Sequence, residues 1–313
     1  MRRFLAGLLL TVAALMVPVT LVSQWIQNYL LDTDNFTALY QPVAGKSAFQ
    51  QYLAGQVSEA AGEAIEQSAV AQFTQSAAGA VDDVVGLFGL DLGLSDTSSD
   101  WVSRLGDRVA ETVHGEALPA LQSPQFAQVW TEGINQIHSQ LITGLTGDGP
   151  DSQTLVLQAG PFVSIILEYL QQQGFSFVSF LAPLAADSEV VLVEVNYPPA
   201  ARTFVNLIVD YGPYLPWVTA GIAALGLLLS RARLVSLGRF AFATAFLSAL
   251  VWLVAPLLGA FALADVGGGQ EVAKLLWDVA VTPLRSEALL VAGSALLLSI
   301  FAGALHLLRT NRS

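Results

Sequence analysis

Residues 240–264 read FAFATAFLSALVWLVAPLLGAFALA, a run of 25 residues without Asp, Glu, Lys or Arg. An α-helix rises about 1.5 Å per residue, so roughly 20 apolar residues cross the hydrocarbon core of a bilayer, which is about 30 Å thick. Three further runs have the same character, namely Phe4–Ser23, Tyr214–Ser230 and Ala288–Leu308. The sequence therefore predicts four transmembrane helices.

The composition of the whole chain agrees with this prediction. Of 313 residues, 54% are hydrophobic and 12% are charged. Average globular chains carry roughly 25% charged residues, so a single soluble domain is not expected. The chain has no cysteine, which excludes disulfides, thiolate metal sites and cysteine nucleophiles.

The charged residues separate by sign along the chain. Residues 1–3, 231–239 and 309–313 contain seven arginines and no acid, whereas all 25 Asp and Glu lie in 24–213 and 265–287. Basic residues concentrate in the cytoplasmic segments of membrane proteins. The asymmetry therefore predicts a plasma-membrane protein with both termini in the cytoplasm and residues 24–213 outside.

The predicted organisation follows from these boundaries. It comprises an N-terminal signal anchor (1–23), an acidic extracytoplasmic domain (24–213), a second span (214–230), a basic cytoplasmic loop (231–239), a third span (240–264), an outer amphipathic segment (265–287), a fourth span (288–308) and a cytoplasmic tail (309–313). A cleaved signal peptide is the alternative for the first run. That run is longer than the usual apolar region of about 7–15 residues, and no A-x-A site follows it, which favours an uncleaved anchor.

The extracytoplasmic domain is predicted to be mostly helical, with a small two-strand β element. Apolar residues recur every three or four positions from Ser47 to Gln75, and Ser123-Pro124 is a typical helix start. A third helix begins at Asp100, and His114-Gly115 predicts its end. Residues 84–99 are glycine-rich and predict a loop, whereas Thr154–Gln158 and Glu189–Val195 predict the strands.

Two motifs in this domain resemble a family of uncharacterised integral membrane proteins from actinobacteria. The first is Asp32-Thr33-Asp34-Asn35-Phe36, directly after the first span. The second joins Phe126, Trp130, His138, Leu141 and Gly147 on one predicted helix. The resemblance covers most of residues 20–260 and extends to the order of one span, a large outer domain and closely spaced spans. It implies this topology, and it assigns no activity or role to these residues.

The residues capable of chemistry have simpler structural interpretations. An imidazole such as that of His138 can act as a base or a ligand near neutral pH, but packing inside a helical core is the favoured interpretation. Asp32 and Asp34 could form half of a cation site, yet one of them capping the next helix is favoured. No catalytic, metal-binding or nucleotide-binding motif is present in the outer domain, so the sequence predicts no catalytic residue, cofactor or metal.

Three functions remain open at this point. The favoured hypothesis is a non-enzymatic accessory, scaffold or sensor protein of the cell envelope, bound to the lipid bilayer and to another envelope protein or wall component. The second is a transport or lipid-handling protein, suggested by the glycine-rich apolar stretch 84–94 and the amphipathic segment 270–280. The third is a wall hydrolase that uses carboxylates. The acidic outer domain argues against nucleic acid as a partner.

Overall fold

The computed structural model describes residues 1–75, 100–147, 152–158, 160–174, 189–196, 199–262 and 270–310. Backbone contacts divide the chain into two compact units. The bundle unit comprises Met1–Leu39, Ile142–Asp151 and Tyr197–Ser313, and the central unit comprises Tyr40–Leu141 and Ser152–Asn196. The predicted loop 84–99, residues 265–269 and Arg312 lie outside the described residues.

The described residues are almost entirely helical. The helices are α1 (Arg2–Trp25, continued by a π-helical turn at Ile26–Leu30), α2 (Thr33–Tyr40), α3 (Ser47–Gln75), α4 (Asp100–Leu121), α5 (Pro124–Thr146), α6 (Gly160–Gln172), α7 (Pro199–Tyr211), α8 (Leu215–Leu229), α9 (Arg233–Ala262) and α10 (Gln270–Thr310). Short 3-10 turns cover Gln41–Gly45 and Gly212–Tyr214. Strands β1 (Ser152–Gln158) and β2 (Glu189–Asn196) pair antiparallel, from Ser152 opposite Asn196 to Gln158 opposite Glu189.

Four helical segments are long and apolar enough to cross a membrane, as the sequence predicted. They are Arg2–Leu30, Pro199–Leu229, Arg233–Gly259 and Gln270–Thr310. Only 22% to 28% of the most apolar window of each segment is buried inside the protein. Most of their large apolar side chains therefore face outward.

Helices α1 and α8 pack antiparallel in the bundle unit. The hydroxyls of Thr20 and Thr219 lie 3.1 Å apart, and the Arg2 Nε donates to the carbonyl of Leu229 at 3.2 Å. Gly226 lies directly against the buried side chain of Leu10. A small residue at this point lets the two helix backbones approach closely.

Helices α9 and α10 form a second antiparallel pair, which is the most extensive helix contact in the structure. The Ser299 hydroxyl donates to the carbonyl of Gly238 at 3.0 Å. Further along the pair, the Trp277 Nε1 donates to the carbonyl of Ala255 at 3.1 Å, and the indole lies against Gly259. The seam between these helices is thus fixed at both ends by a side chain bonded to the opposite backbone.

The outer segment 265–287 was predicted as a separate amphipathic element. From Gln270 onward it instead continues without a break into the fourth span, because α10 is one helix of 41 residues. The burial of Val281 and Leu284 against Leu21 of α1 and Ala255 of α9 accounts for this continuity. The indole of Trp25 also donates to the carbonyl of Ala280 at 2.8 Å, which fixes the end of α1 to this part of α10.

In the central unit, α3 extends from Ser47 to Gln75 as the sequence predicted, and it packs mainly against α4. The predicted end of the following helix at His114-Gly115 is wrong, since α4 continues through both residues to Leu121. Glycine within a helix costs about 1 kcal/mol relative to alanine. The full burial of Ala117, Ala120 and Leu121 beyond it outweighs that cost.

The contact between α1 and α8 generates a test with a matched control on the same helix. In Gly226→Ala, the new Cβ lies 2.8 Å from the Cγ of Leu10 and 3.3 Å from its backbone nitrogen. We expect this overpacking to cost about 1–3 kcal/mol of stability. In Gly221→Ala the new Cβ meets nothing within 4 Å, so stability should stay equal or rise slightly. Thermal melting of the detergent-purified chain measures both, and equal melting temperatures would contradict the packing described here.

Candidate functional site

The predicted motif residues near the first span have a structural role. The Asp32 Oδ1 accepts a hydrogen bond from the backbone N–H of Asn35 at 2.8 Å, so Asp32 is the residue that caps α2. Asp34 lies in the first turn of the same helix and is exposed. The carboxylate of Asp32, at the capping position, accepts from an N–H group that the helix itself leaves unpaired. The helix ends at Tyr40, as the following Pro42 predicted.

The second motif lies on α5, which starts where the sequence predicted. The Ser123 hydroxyl accepts from the N–H of Phe126 at 3.2 Å, and α5 ends one residue before Gly147. Phe126 and Trp130 are buried on one face, whereas Leu141 is half-buried. Four-residue steps therefore define the buried line of this helix.

His138 continues that buried line, two turns after Trp130. Its side chain is only 3% exposed. The neighbouring Ile137 is only half-buried, so the imidazole and not this apolar side chain lies on the buried line. An imidazole at this position is removed from solvent, and it forms part of the packed interior of the central unit.

Trp130 is the centre of this interior. Its Nε1 donates to the carbonyl of Tyr40 at 3.1 Å, and its ring lies 4.6 Å from that of Phe49, tilted by 55°. Tilted aromatic pairs at this distance are favourable beyond the apolar area that they bury. Burial raises the pKa of Tyr40 to about 12, so its phenol stays protonated at neutral pH.

Gln50 is a residue that the sequence analysis missed. Its buried Nε2 donates to the carbonyl of Ala44 at 2.8 Å and lies 3.4 Å from the carbonyl of Leu121. One side chain thus connects the 3-10 turn before α3 to the end of α4. Gln50 and Gln51 are identical in type and adjacent, so only the folded packing distinguishes them.

The contacts of the motif residues show which of them the structure brings together. The motif residues that the structure brings together, Phe126, Trp130 and His138, are fixed on one helix as packing groups. Asp32 and Asp34 lie on a different helix, in the other unit. Within the part of the chain that the structure describes, no three His, Asp or Glu side chains are grouped so as to hold a metal ion.

The bundle unit contains an open groove between the first half of α9 and the last turns of α10. Its volume is about 480 Å³. The α9 side is formed by Leu234, Val235, Gly238, Arg239 and Phe242, and the α10 side by Ser299, Ala302, Gly303 and His306. Arg239 and His306 are both exposed, so the groove combines an apolar lining with two basic groups.

A second concentration of polar and aromatic groups lies toward the opposite end of the α9–α10 pair. The guanidinium carbon of Arg285 lies 5.0 Å from the centre of the Trp252 ring, which is a cation–π geometry. The Nε of Arg285 is buried and has no hydrogen-bond partner among the described residues. The indoles of Trp25 and Trp277 each donate to the backbone of a neighbouring helix in the same region. This part of the bundle unit is therefore rich in tryptophan.

Comparisons with known proteins give no match for this chain among protein family models, curated proteins or solved structures. The assignment of a function therefore depends on the chain's own chemistry.

The role of Gln50 is testable with its neighbour as the control. In Gln50→Leu, two buried carbonyls lose their side-chain donor, and we expect a loss of about 1–3 kcal/mol in the free energy of unfolding. Gln51→Leu changes an exposed residue and should leave that free energy nearly unchanged. Urea unfolding of the full chain, followed by tryptophan fluorescence, measures both. Equal losses in the two variants would show that Gln50 has no special role.

Proposed function

We propose that this chain is a multi-pass protein of the plasma membrane, with both termini in the cytoplasm and residues 24–213 outside. The four apolar helices support membrane insertion, because most of their large side chains are covered by no other part of the described protein. Contiguous exposed apolar surface of this extent marks a contact with lipid or with another protein. In a bilayer, helices satisfy their own backbone hydrogen bonds.

The packing of the bundle unit supports the proposed orientation. Both helix pairs are antiparallel, and Trp25 ties the end of α1 to the first half of α10. The beginning of α1, the end of α8, the beginning of α9 and the end of α10 therefore lie at one end of the bundle. These are the chain segments that carry arginine and no acid. A cytoplasmic position for that end satisfies the positive-inside rule.

The proposed role is that of a non-enzymatic accessory, scaffold or sensor protein of the cell envelope. One observation carries this proposal: the motif residues with chemical potential serve as packing or capping groups, since His138 and Trp130 are buried and Asp32 caps α2. Its partner is another envelope protein or a wall component, which meets the acidic, helical outer domain. The actinobacterial family that the motifs resemble has the same proposed topology.

The transport or lipid-handling alternative gains no support from the segments that suggested it. Residues 84–94 lie outside the described residues. Residues 270–280 form the first turns of the single helix α10, and Val272 within them is buried. The wall-hydrolase alternative requires two carboxylates at a set separation across a cleft, and no described contact favours a particular pair.

The absence of natural cysteine makes the orientation directly testable. Ala232→Cys places a thiol in the proposed cytoplasmic loop, and Gln122→Cys places one in the proposed outer domain; both positions are exposed. In intact cells, a membrane-impermeant maleimide should label Gln122→Cys and leave Ala232→Cys unlabelled until the membrane is opened. Labelling of Ala232→Cys in intact cells would overturn the orientation, and the cysteine-free parent chain controls for background.

The scaffold role predicts a protein contact on the outer domain. A photo-crosslinking phenylalanine in place of Glu111, an exposed residue of α4, should give a reproducible protein adduct in living cells. The same group in place of Leu297, which is 70% exposed on a proposed span, should give lipid adducts. If Glu111 and Gln122 both gave no protein adduct, an envelope protein would be wrong as the partner at these positions, and a wall component would be the partner that the proposal retains.

A further inference from the structure

The groove between α9 and α10 is an open depression with a volume comparable to that of ligand sites. Its volume of about 480 Å³ lies within the range of about 300–1,000 Å³ that is typical of small-ligand pockets. Small residues help to create it, because Gly238, Ala302 and Gly303 line it and add little side-chain volume. The Ser299 hydroxyl holds the two helices together there through the carbonyl of Gly238.

The sides of the groove differ in chemistry. Leu234 and Phe242 supply apolar surface, and the Phe242 ring is exposed. Arg239 and His306 supply basic groups from the two facing helices. The guanidinium of Arg239 forms no hydrogen bond or ion pair with the part of the chain that the structure describes. Its positive charge is thus available to a ligand.

The charged residues around the groove determine which sign of charge a ligand should carry. No Asp or Glu occurs in residues 231–239 or 299–310, whereas Arg231, Arg233 and Arg309 lie in the same segments. These arginines attract a group with net negative charge, and they attract a neutral or zwitterionic group less strongly. Basic pockets between membrane helices on the cytoplasmic side bind anionic lipid head groups.

We infer that this groove binds one anionic phospholipid of the cytoplasmic leaflet. The phosphate contacts Arg239 and His306, and the first part of an acyl chain lies along Phe242, one turn further into the proposed span. The inference rests on the proposed membrane insertion, which brings the groove to the lipid–water interface. It adds a lipid site that joins the third and fourth spans.

The test uses the full chain purified in mild detergent, with lipid adducts counted by native mass spectrometry. Phosphatidylglycerol is the anionic probe and phosphatidylcholine is the zwitterionic control. We expect one phosphatidylglycerol molecule to bind with at least fivefold higher affinity than phosphatidylcholine. Equal affinities for the two lipids would overturn the inference.

Two matched pairs of variants locate the site. Arg239→Gln should weaken phosphatidylglycerol binding about fivefold, because one arginine near an anionic head group contributes about that much. Arg309→Gln removes the same charge at the same end of the bundle but outside the groove lining, and binding should change less than twofold. Equal losses in both variants would indicate diffuse attraction and would refute a discrete site.

The second pair blocks the groove without changing charge. A Cβ at Gly303 or at Gly293 meets nothing within 4 Å, but only Gly303 lines the groove. Gly303→Leu should abolish the adduct, and Gly293→Leu should retain it. Retention of the adduct in Gly303→Leu would refute the assignment. Soluble glycerol phosphate should not compete, since it lacks the acyl chain, and full competition would also refute a lipid site.

These outcomes are separable from those of the proposed orientation. Cysteine labelling from the wrong side would overturn the orientation and leave the detergent binding data unaffected. Loss of lipid selectivity in detergent, together with correct labelling, would refute the lipid site alone.

Discussion

The structure depends on one constraint, which is that the outward faces of four helices carry large apolar side chains that the described protein does not cover. Leu297, Ile300 and Phe301 of α10 are examples. A bilayer resolves this constraint, because lipid chains solvate those faces and a helix leaves few backbone groups unpaired. The hydrophobic effect does not draw helices together inside lipid, so close packing must do so. Small residues supply it where Gly226 meets Leu10 and where Gly259 meets Trp277.

The length of the helices separates acidic residues at one end of the bundle unit from arginines at the other end. At about 1.5 Å per residue, the 41 residues of α10 extend over about 60 Å, roughly twice the hydrocarbon thickness of a bilayer. In the proposed insertion, this excess length carries the polar residues before the fourth span, including Glu271 and Asp278, beyond the hydrocarbon region. At the opposite end, the antiparallel pairing gathers the arginines at the start of α1, between α8 and α9, in the first turns of α9 and in the last turn of α10. The same arrangement that supports the orientation also generates the basic groove between α9 and α10.

In the central unit, by contrast, the described residues Phe49, Phe126 and Trp130 are buried, and specific side-chain bonds to the backbone accompany this packing. Trp130 bonds to the backbone of Tyr40, and Gln50 bonds to the backbone of Ala44 and Leu121. A buried donor of this kind is costly to remove, since the carbonyl that it served loses its partner. Phe126, Trp130 and His138 of α5 thus belong to the packed interior of this unit.

The sequence by itself determined the features that arise from local chemistry. Four apolar runs, the sign of the charge beside each of them, a helix start at Asp32 or Asp34 and another at Ser123 could all be predicted, because each depends on neighbouring residues alone. The continuation of α4 beyond Gly115 and of α10 through residues 270–287 could not be, because burial against distant helices outweighs the local signals. The same holds for the burial of Gln50 while Gln51 stays exposed, and for the presence of Arg239 and His306 in one groove. Residues so far apart in the chain meet only when whole helices pack, and that packing is decided by the tertiary structure.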